Sequence, residues 1–235
     1  MNKLSALKIV PIASFLILAG FVFLIPTTYA QTATSPQFLI TWKPTASSIP
    51  SGYIGKALPS LGSKVTADFE LVSNGKMLDL SGQTIYWYLE DTLIGGGAGV
   101  QQVTFPLFGT PPGSLTLKIE LPSYNGQYLI HTLDIPFVNP AVVIYAPYPN
   151  GNFSSNPVEV TALPYFFNAS PSQLSYTWSV NGQTGANAEN PQNAEVTLPQ
   201  GTPSGTGITI SLSVENPSGA ITAAAQSTLT YSTQL

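Results

Sequence analysis

Apolar and polar residues alternate with a period of two along most of this chain. Leu174, Tyr176, Trp178 and Val180 form one such row, and Ile85, Trp87 and Leu89 another. Val65, Ala67, Phe69 and Leu71 alternate with Thr66, Asp68 and Glu70, and Leu115, Leu117, Ile119 and Leu121 alternate with Thr116, Lys118 and Glu120. A period of two places successive side chains on opposite faces of a strand, so each row predicts a strand with one buried face. Tyr124-Asn-Gly126 predicts a tight turn, because Gly accepts a positive φ. Gly95 to Gly99 predicts a flexible loop, and the prolines that follow several rows predict where strands stop.

The pattern occurs twice. Trp178 follows Trp87 by 91 residues. Val196-Thr-Leu-Pro199 echoes Val103-Thr-Phe-Pro106 at 93, and Ser218-Gly219 stands in the place of Asn125-Gly126, again at 93. Tyr145-Ala-Pro147 echoes Trp42-Lys-Pro44 near the start of each half. Matches in one order predict an all-β chain of two tandem immunoglobulin-like β-sandwich domains, residues 31–138 and 139–235, preceded by an N-terminal signal helix in residues 1–30. In such a sandwich one large flat side chain spans the gap of about 10 Å between the sheets. Trp87 and Trp178 are the structural core residues expected in that role. The final strands have opposite parity: Ile221, Ala223, Ala225 and Leu229 share one face, against Leu129, Leu133, Ile135 and Phe137 in the first half. One half therefore carries a β-bulge.

The Trp strands, the Val-Thr-Phe/Leu-Pro segments and the closing strand pairs resemble PKD-like and other Ig-like repeats of bacterial and archaeal exported surface proteins. The turns after the Trp strands, Leu-Glu-Asp and Val-Asn-Gly, depart from the Gly-Asp-Gly type of a standard PKD repeat. The resemblance implies a spacer or adhesive module with no catalytic residues.

Composition narrows the setting. Charged residues are 8% of the chain against roughly 25% in an average soluble protein, while 43% of residues are hydrophobic and Cys is absent. The apolar share and its alternation argue against disorder. Lys3 and Lys8, the apolar run from Ile9 to Ile25 and the exit Thr28-Tyr-Ala30 have the three parts of a secretory signal, with cleavage expected after Ala30. The alternative is a retained anchor, and the membrane is a partner only through such an uncleaved leader. Without the leader, five lysines face eleven acids, a net charge of −6, with no arginine. That balance excludes a nucleic-acid footprint. The expected location is secreted or cell-surface.

Candidate chemistry is sparse. His131, the single histidine, and Asp134 point to opposite faces by strand parity, and no Gly-x-Ser-x-Gly elbow is present, so no catalytic residue is assigned and no enzyme is expected. Glu90 and Asp91 are adjacent, but a calcium site takes six to eight oxygens and no Asp-x-Asp run supplies them. No metal site or cofactor is assigned. Asn152-Phe-Ser154 and Asn168-Ala-Ser170 match the glycosylation sequon. With Trp87 pointing inward, Tyr86 and Tyr88 point outward and form a possible binding face for an envelope or surface protein, or for a glycan. The functional reading is a structural spacer or adhesive module, with a carbohydrate-binding accessory module or a fibre or pilus-like subunit as alternatives.

Overall fold

The structure is a computed structural model that describes residues 35–185 and 190–233. The expected leader and its cleavage site lie outside the described residues. Among the described residues, eight strands come before the Asn139-Pro140 junction: β1 (Gln37–Pro44), β2 (Lys64–Ser73), β3 (Lys76–Met77), β4 (Thr84–Leu89), β5 (Thr92–Ala98), β6 (Gln102–Pro106), β7 (Gly113–Tyr124) and β8 (Gln127–Phe137). Eight follow: β9 (Ala141–Tyr145), β10 (Asn152–Phe153), β11 (Val158–Tyr165), β12 (Ser175–Val180), β13 (Gln183–Gly185), β14 (Asn193–Val196), β15 (Gly207–Glu215) and β16 (Thr222–Tyr231).

The alternating rows explain how these strands layer. β2 pairs with β1 on one side and β6 on the other, and it faces a second sheet ordered β5-β4-β7-β8. Between the sheets lie Val65, Ala67, Phe69 and Leu71 of β2, Ile85, Trp87 and Leu89 of β4, and the four apolar residues of β7. The second half repeats the arrangement, with β9-β11-β14 against β13-β12-β15-β16 and a separate core around Trp178. β10 adds a short parallel edge to β16. Apart from a single 3-10 turn at Pro171–Gln173, the described residues are all-β, built as two tandem immunoglobulin-like sandwiches.

The two halves match atom by atom around the tryptophans. The Trp87 Nε1–H donates to the carbonyl of Val100 at 2.7 Å, and that of Trp178 to the carbonyl of Pro191 at 3.0 Å. The next residue is a glutamine in both. Gln101 Nε2 donates to the Phe69 carbonyl at 3.2 Å, and the Phe69 N–H donates to the Gln101 carbonyl at 3.1 Å. Gln192 makes the same pair of bonds to Ala162, at 3.2 and 2.8 Å. A buried indole nitrogen needs such a partner, because leaving it unpaired would cost most of the gain from burying the ring.

These bonds correct the repeat register. Gln101 and Gln192 are 91 apart, and the inward pairs on the strand that follows, Val103 with Ala194 and Phe105 with Val196, keep that spacing. The Val-Thr-Phe-Pro echo at 93 is thus two residues out of step. A slip of two preserves which face is apolar, so alternation alone fits either register. The Trp42 echo is also displaced, since Trp42 is half-buried toward the core while Tyr145 is exposed. The bulge lies in the first half: Leu121 pairs with Leu129 and Tyr124 with Gln127, three steps of β7 against two of β8. Pro122, with no N–H to give, sits in the interrupted stretch. Gly95 to Ala98 is strand, not loop, because β5 pairs along β4 with a register shift between Trp87 and Tyr88.

A long connection between β1 and β2 reaches the second half. Ser48 is fully buried; its N–H donates to the Phe167 carbonyl at 2.8 Å, its carbonyl accepts from Phe166 N–H at 2.6 Å, and its Oγ accepts from Phe167 N–H at 2.9 Å. Tyr53 packs edge-on against Tyr165 and Phe166, at 5.9 and 5.8 Å between centroids. Replacing Ser48 with Ala removes the side-chain acceptor of a buried N–H. We expect destabilisation by about 1 to 3 kcal/mol, seen in urea unfolding, with faster hydrogen exchange at the Phe167 amide.

Candidate functional site

The outward residues of β4 meet those of its neighbours in two rows. Tyr86 lies between Gly96 of β5 and Glu120 of β7, and Glu120 is followed by Ile130 of β8. Tyr88 lies between Leu93 and Lys118, and Lys118 is followed by Thr132. Tyr86 and Tyr88 are half-buried, whereas Leu93, Tyr128 and Ile130 are each more than half exposed, at 56%, 55% and 51%. The face thus gathers three tyrosines and two aliphatic side chains from β4, β5 and β8.

Neither ring on β4 stands free on both sides. The Tyr86 ring leans over Gly96, where a Cβ would collide with it, so this strand position requires glycine. Lys118 Nζ sits 4.6 Å from the centroid of the Tyr88 ring. The same ammonium lies 3.2 Å from Asp91 Oδ1 and 3.2 Å from Glu120 Oε1. Hydrogen bonds to Glu120 and then Asp91 hold the Lys118 pKa above the ordinary lysine value. A hydrogen bond to Glu120, reinforced by lost solvation and the carboxylate's charge, raises that of Tyr128. Lys118 and Glu120 therefore connect Tyr88 and Tyr128 across β7.

The acids flanking this face have structural work. Glu90 and Asp91 occupy the β4–β5 turn with φ of 47° and 63°, as Asn181 and Gly182 do at 49° and 80° after β12. The Glu90 carboxylate accepts from Thr116 N–H, and Asn181 Oδ1 accepts from Thr209 N–H at 2.9 Å. Asp91 is taken by Lys118. Among the described residues no three His, Cys, Asp or Glu side chains converge as a metal site would require. His131 stacks on Phe38 with centroids 5.1 Å apart, while Asp134 accepts from the Thr116 hydroxyl at 2.9 Å on the other face. Of the sequon asparagines, Asn168 is engaged by Asn216 Nδ2 at 3.0 Å, and Asn152 is exposed on β10.

Trp87 and Trp178 are both buried beneath these strands, but the corresponding outer face of the second half is unlike the first. Thr177 and Ser179 replace the tyrosines, and with Ser211, Ser213, Ala224 and Gln226 they line a shallow depression of about 500 Å³. Tyr128 and Ile130 escape a reading of the sequence because β8 reaches this face only through its pairing with β7. Their even spacing with Thr132 and Asp134 is the signal that could have placed them.

No family model matches this chain, and no curated protein matches its sequence. Among solved structures, it is similar to the fibronectin(III)-like modules of Clostridium thermocellum CbhA, at 17% identity over 84% of this chain and 96% of that one, with a TM-score of 0.28. Three N-terminal domains of the bacteriophage RB49 Highly Immunogenic Outer Capsid protein match at 16% identity over 79% of this chain and 59% of theirs, with a TM-score of 0.43. Bacteroides ovatus SGBP-B, solved with a mixed-linkage heptasaccharide, matches at 14% identity over 82% of this chain and 47% of its own, with a TM-score of 0.26.

The tie between Glu120 and Tyr128 has a measurable consequence. Glu120→Gln removes the charge and weakens the acceptor that favour the protonated phenol. Tyr128 then ionises at lower pH than in the parent chain, as an ultraviolet difference titration will show. Tyr176, pushed up to about 12 by burial, remains among the last to titrate in both proteins.

Proposed function

We propose that this chain is an exported, non-enzymatic interaction module of a cell surface or envelope, with units at residues 31–138 and 139–235, and that the outer face of β5-β4-β7-β8 is its binding face. One observation carries the reading: Tyr86, Tyr88, Tyr128, Leu93 and Ile130 share one sheet face around a paired Lys118, while the equivalent face of the second half has Thr, Ser and Ala. Tyrosines beside aliphatic residues supply large contact area at low conformational cost. Lys118, already paired with Asp91 and Glu120, brings no unpaired charge into a contact.

The geometry favours a protein partner over a sugar. A pyranose stacks flat on an open ring face, but Lys118 covers one face of Tyr88 and Tyr86 leans onto β5. What stands exposed on this face is Leu93, Tyr128 and Ile130, with Tyr86 and Tyr88 half-buried beside them. The leader read from the sequence supports export, and the Ser48 contact supports a body that holds this face steady.

Tyr86→Thr with Tyr88→Ser installs the residues of the second half without changing strand character. The double substitution should weaken binding to envelopes of the producing cells roughly tenfold or more, while the chain keeps a cooperative thermal transition. Retained binding would remove this face from the site. Loss of binding on a glycan array in parallel would instead favour a sugar.

A further inference from the structure

The pattern Asn-x-Ser, which accepts N-linked sugar, occurs three times, at Asn152-Phe-Ser154, Asn168-Ala-Ser170 and Asn216-Pro-Ser218. The fold holds the three in different ways. Asn216 is buried, its Nδ2 donates to Asn168 Oδ1 at 3.0 Å, and its Oδ1 accepts from Ser218 Oγ at 3.0 Å and from Ile221 N–H at 3.1 Å. Proline in the middle position disqualifies that copy in any case. Asn168 is half-buried, and its Nδ2, the atom that would carry a sugar, lies 3.6 Å from where a Cβ on Gly62 would stand. The Ser170 hydroxyl of the same copy is bonded to Gln173 Oε1 at 2.9 Å.

Asn152 differs in each respect. Phe153 is fully buried, with its ring against Tyr148 and Tyr231 at 5.8 and 5.6 Å between centroids, and its carbonyl accepts from Ser232 N–H at 2.8 Å. The middle residue of the tripeptide is thus pinned inward, and Asn152 and Ser154 on either side of it are exposed. Among the described residues neither of these two side chains has a hydrogen-bond partner in the protein. The acceptor amide and the hydroxyl two residues on are both free for an enzyme to take.

We propose that Asn152 is a glycosylation site, supplied by an oligosaccharide carried on a lipid phosphate or pyrophosphate. In the transfer the Asn152 amide nitrogen bonds to the anomeric carbon of the first sugar while the bond from that carbon to the phosphate oxygen breaks. The amide loses one proton, which the released lipid phosphate takes up, and the product side chain is uncharged. The acceptor pattern has this meaning in exported chains, so the site rests on the reading of the protein as exported. β10 pairs Asn152 with Thr230 and covers β16 only at Thr230 and Tyr231. A bulky, hydrated glycan at that point hinders other strands from adding to the open edge of β16.

The test uses the protein isolated from the cells that produce it. Its intact mass should exceed that of the bare chain by a whole number of sugar residues. Fragmentation of its peptides should place sugar on Asn152 and none on Asn168. Asn152→Gln should lower the intact mass by the whole of that increment. Ser154→Ala keeps the asparagine but lacks the hydroxyl and should leave Asn152 bare, whereas Ser154→Thr should keep the sugar and Asn168→Gln should change nothing. Circular dichroism like the parent's confirms that each variant is folded. A bare Asn152 in the parent, sugar on Asn168, or Asn152 still modified in Ser154→Ala overturns the proposal. Fractionation of the same cultures reads export separately. An exported chain with a bare Asn152 defeats the site alone, and a bare chain kept inside the cell defeats both readings.

Discussion

A tryptophan can bridge two sheets only if its indole N–H finds an acceptor inside the layer it fills. Trp87 and Trp178 meet this constraint in the same way, each giving its N–H to the carbonyl thirteen residues later. That carbonyl belongs to the residue before a glutamine, and the glutamine clamps the opposite sheet through both its side chain and its backbone. The indole bond and the clamp thus tie the strand carrying the tryptophan to the sheet it faces. Removing the acceptor would leave a buried donor unpaired, and removing the ring would open a cavity between the layers, in the first half beside Phe69, whose ring meets Trp87 edge-on at 5.4 Å. The remainder of each sandwich is arranged around this pair of bonds.

Because the inner geometry is held this way in both halves, the outer faces are free to differ. Strand pleating makes the neighbours of each tryptophan point outward whatever they are. In the first half they are tyrosines, supported by a glycine strand on one side and a lysine held by two acids on the other. In the second they are threonine and serine over a bare sheet. The same frame thus carries an aromatic face and a depression lined by small residues, and differences in binding can arise without any change to the packing beneath. The Ser48 bonds add a second constraint, tying the long first-half connection to Phe166 and Phe167.

Much of the layering is legible in the sequence because burial imposes a two-residue period on β2, β4, β7 and β15. The period is blind to slips of two. Val103-Thr-Phe-Pro106 and Val196-Thr-Leu-Pro199 look equivalent yet sit two residues apart in the fold, and only the Trp and Gln bonds reveal it. Gly95 to Gly99 reads as a loop because composition says nothing of the Tyr86 ring that covers Gly96. The outward direction of Tyr86 and Tyr88 follows from the inward direction of Trp87. The arrival of Tyr128 and Ile130 beside them depends on the β7–β8 register, which Pro122 and its bulge interrupt in a way that parity detects but cannot locate.

The paired indole bonds can be observed directly. Hydrogen exchange of the indole N–H groups, followed by NMR on the folded chain, separates the three tryptophans: Trp87 and Trp178, both buried, and Trp42, half-buried beneath Lys56. The account predicts two strongly protected indole signals and one that exchanges faster. If either Trp87 or Trp178 exchanged as fast as Trp42, the shared bond would not be what holds the two sandwiches in the same frame.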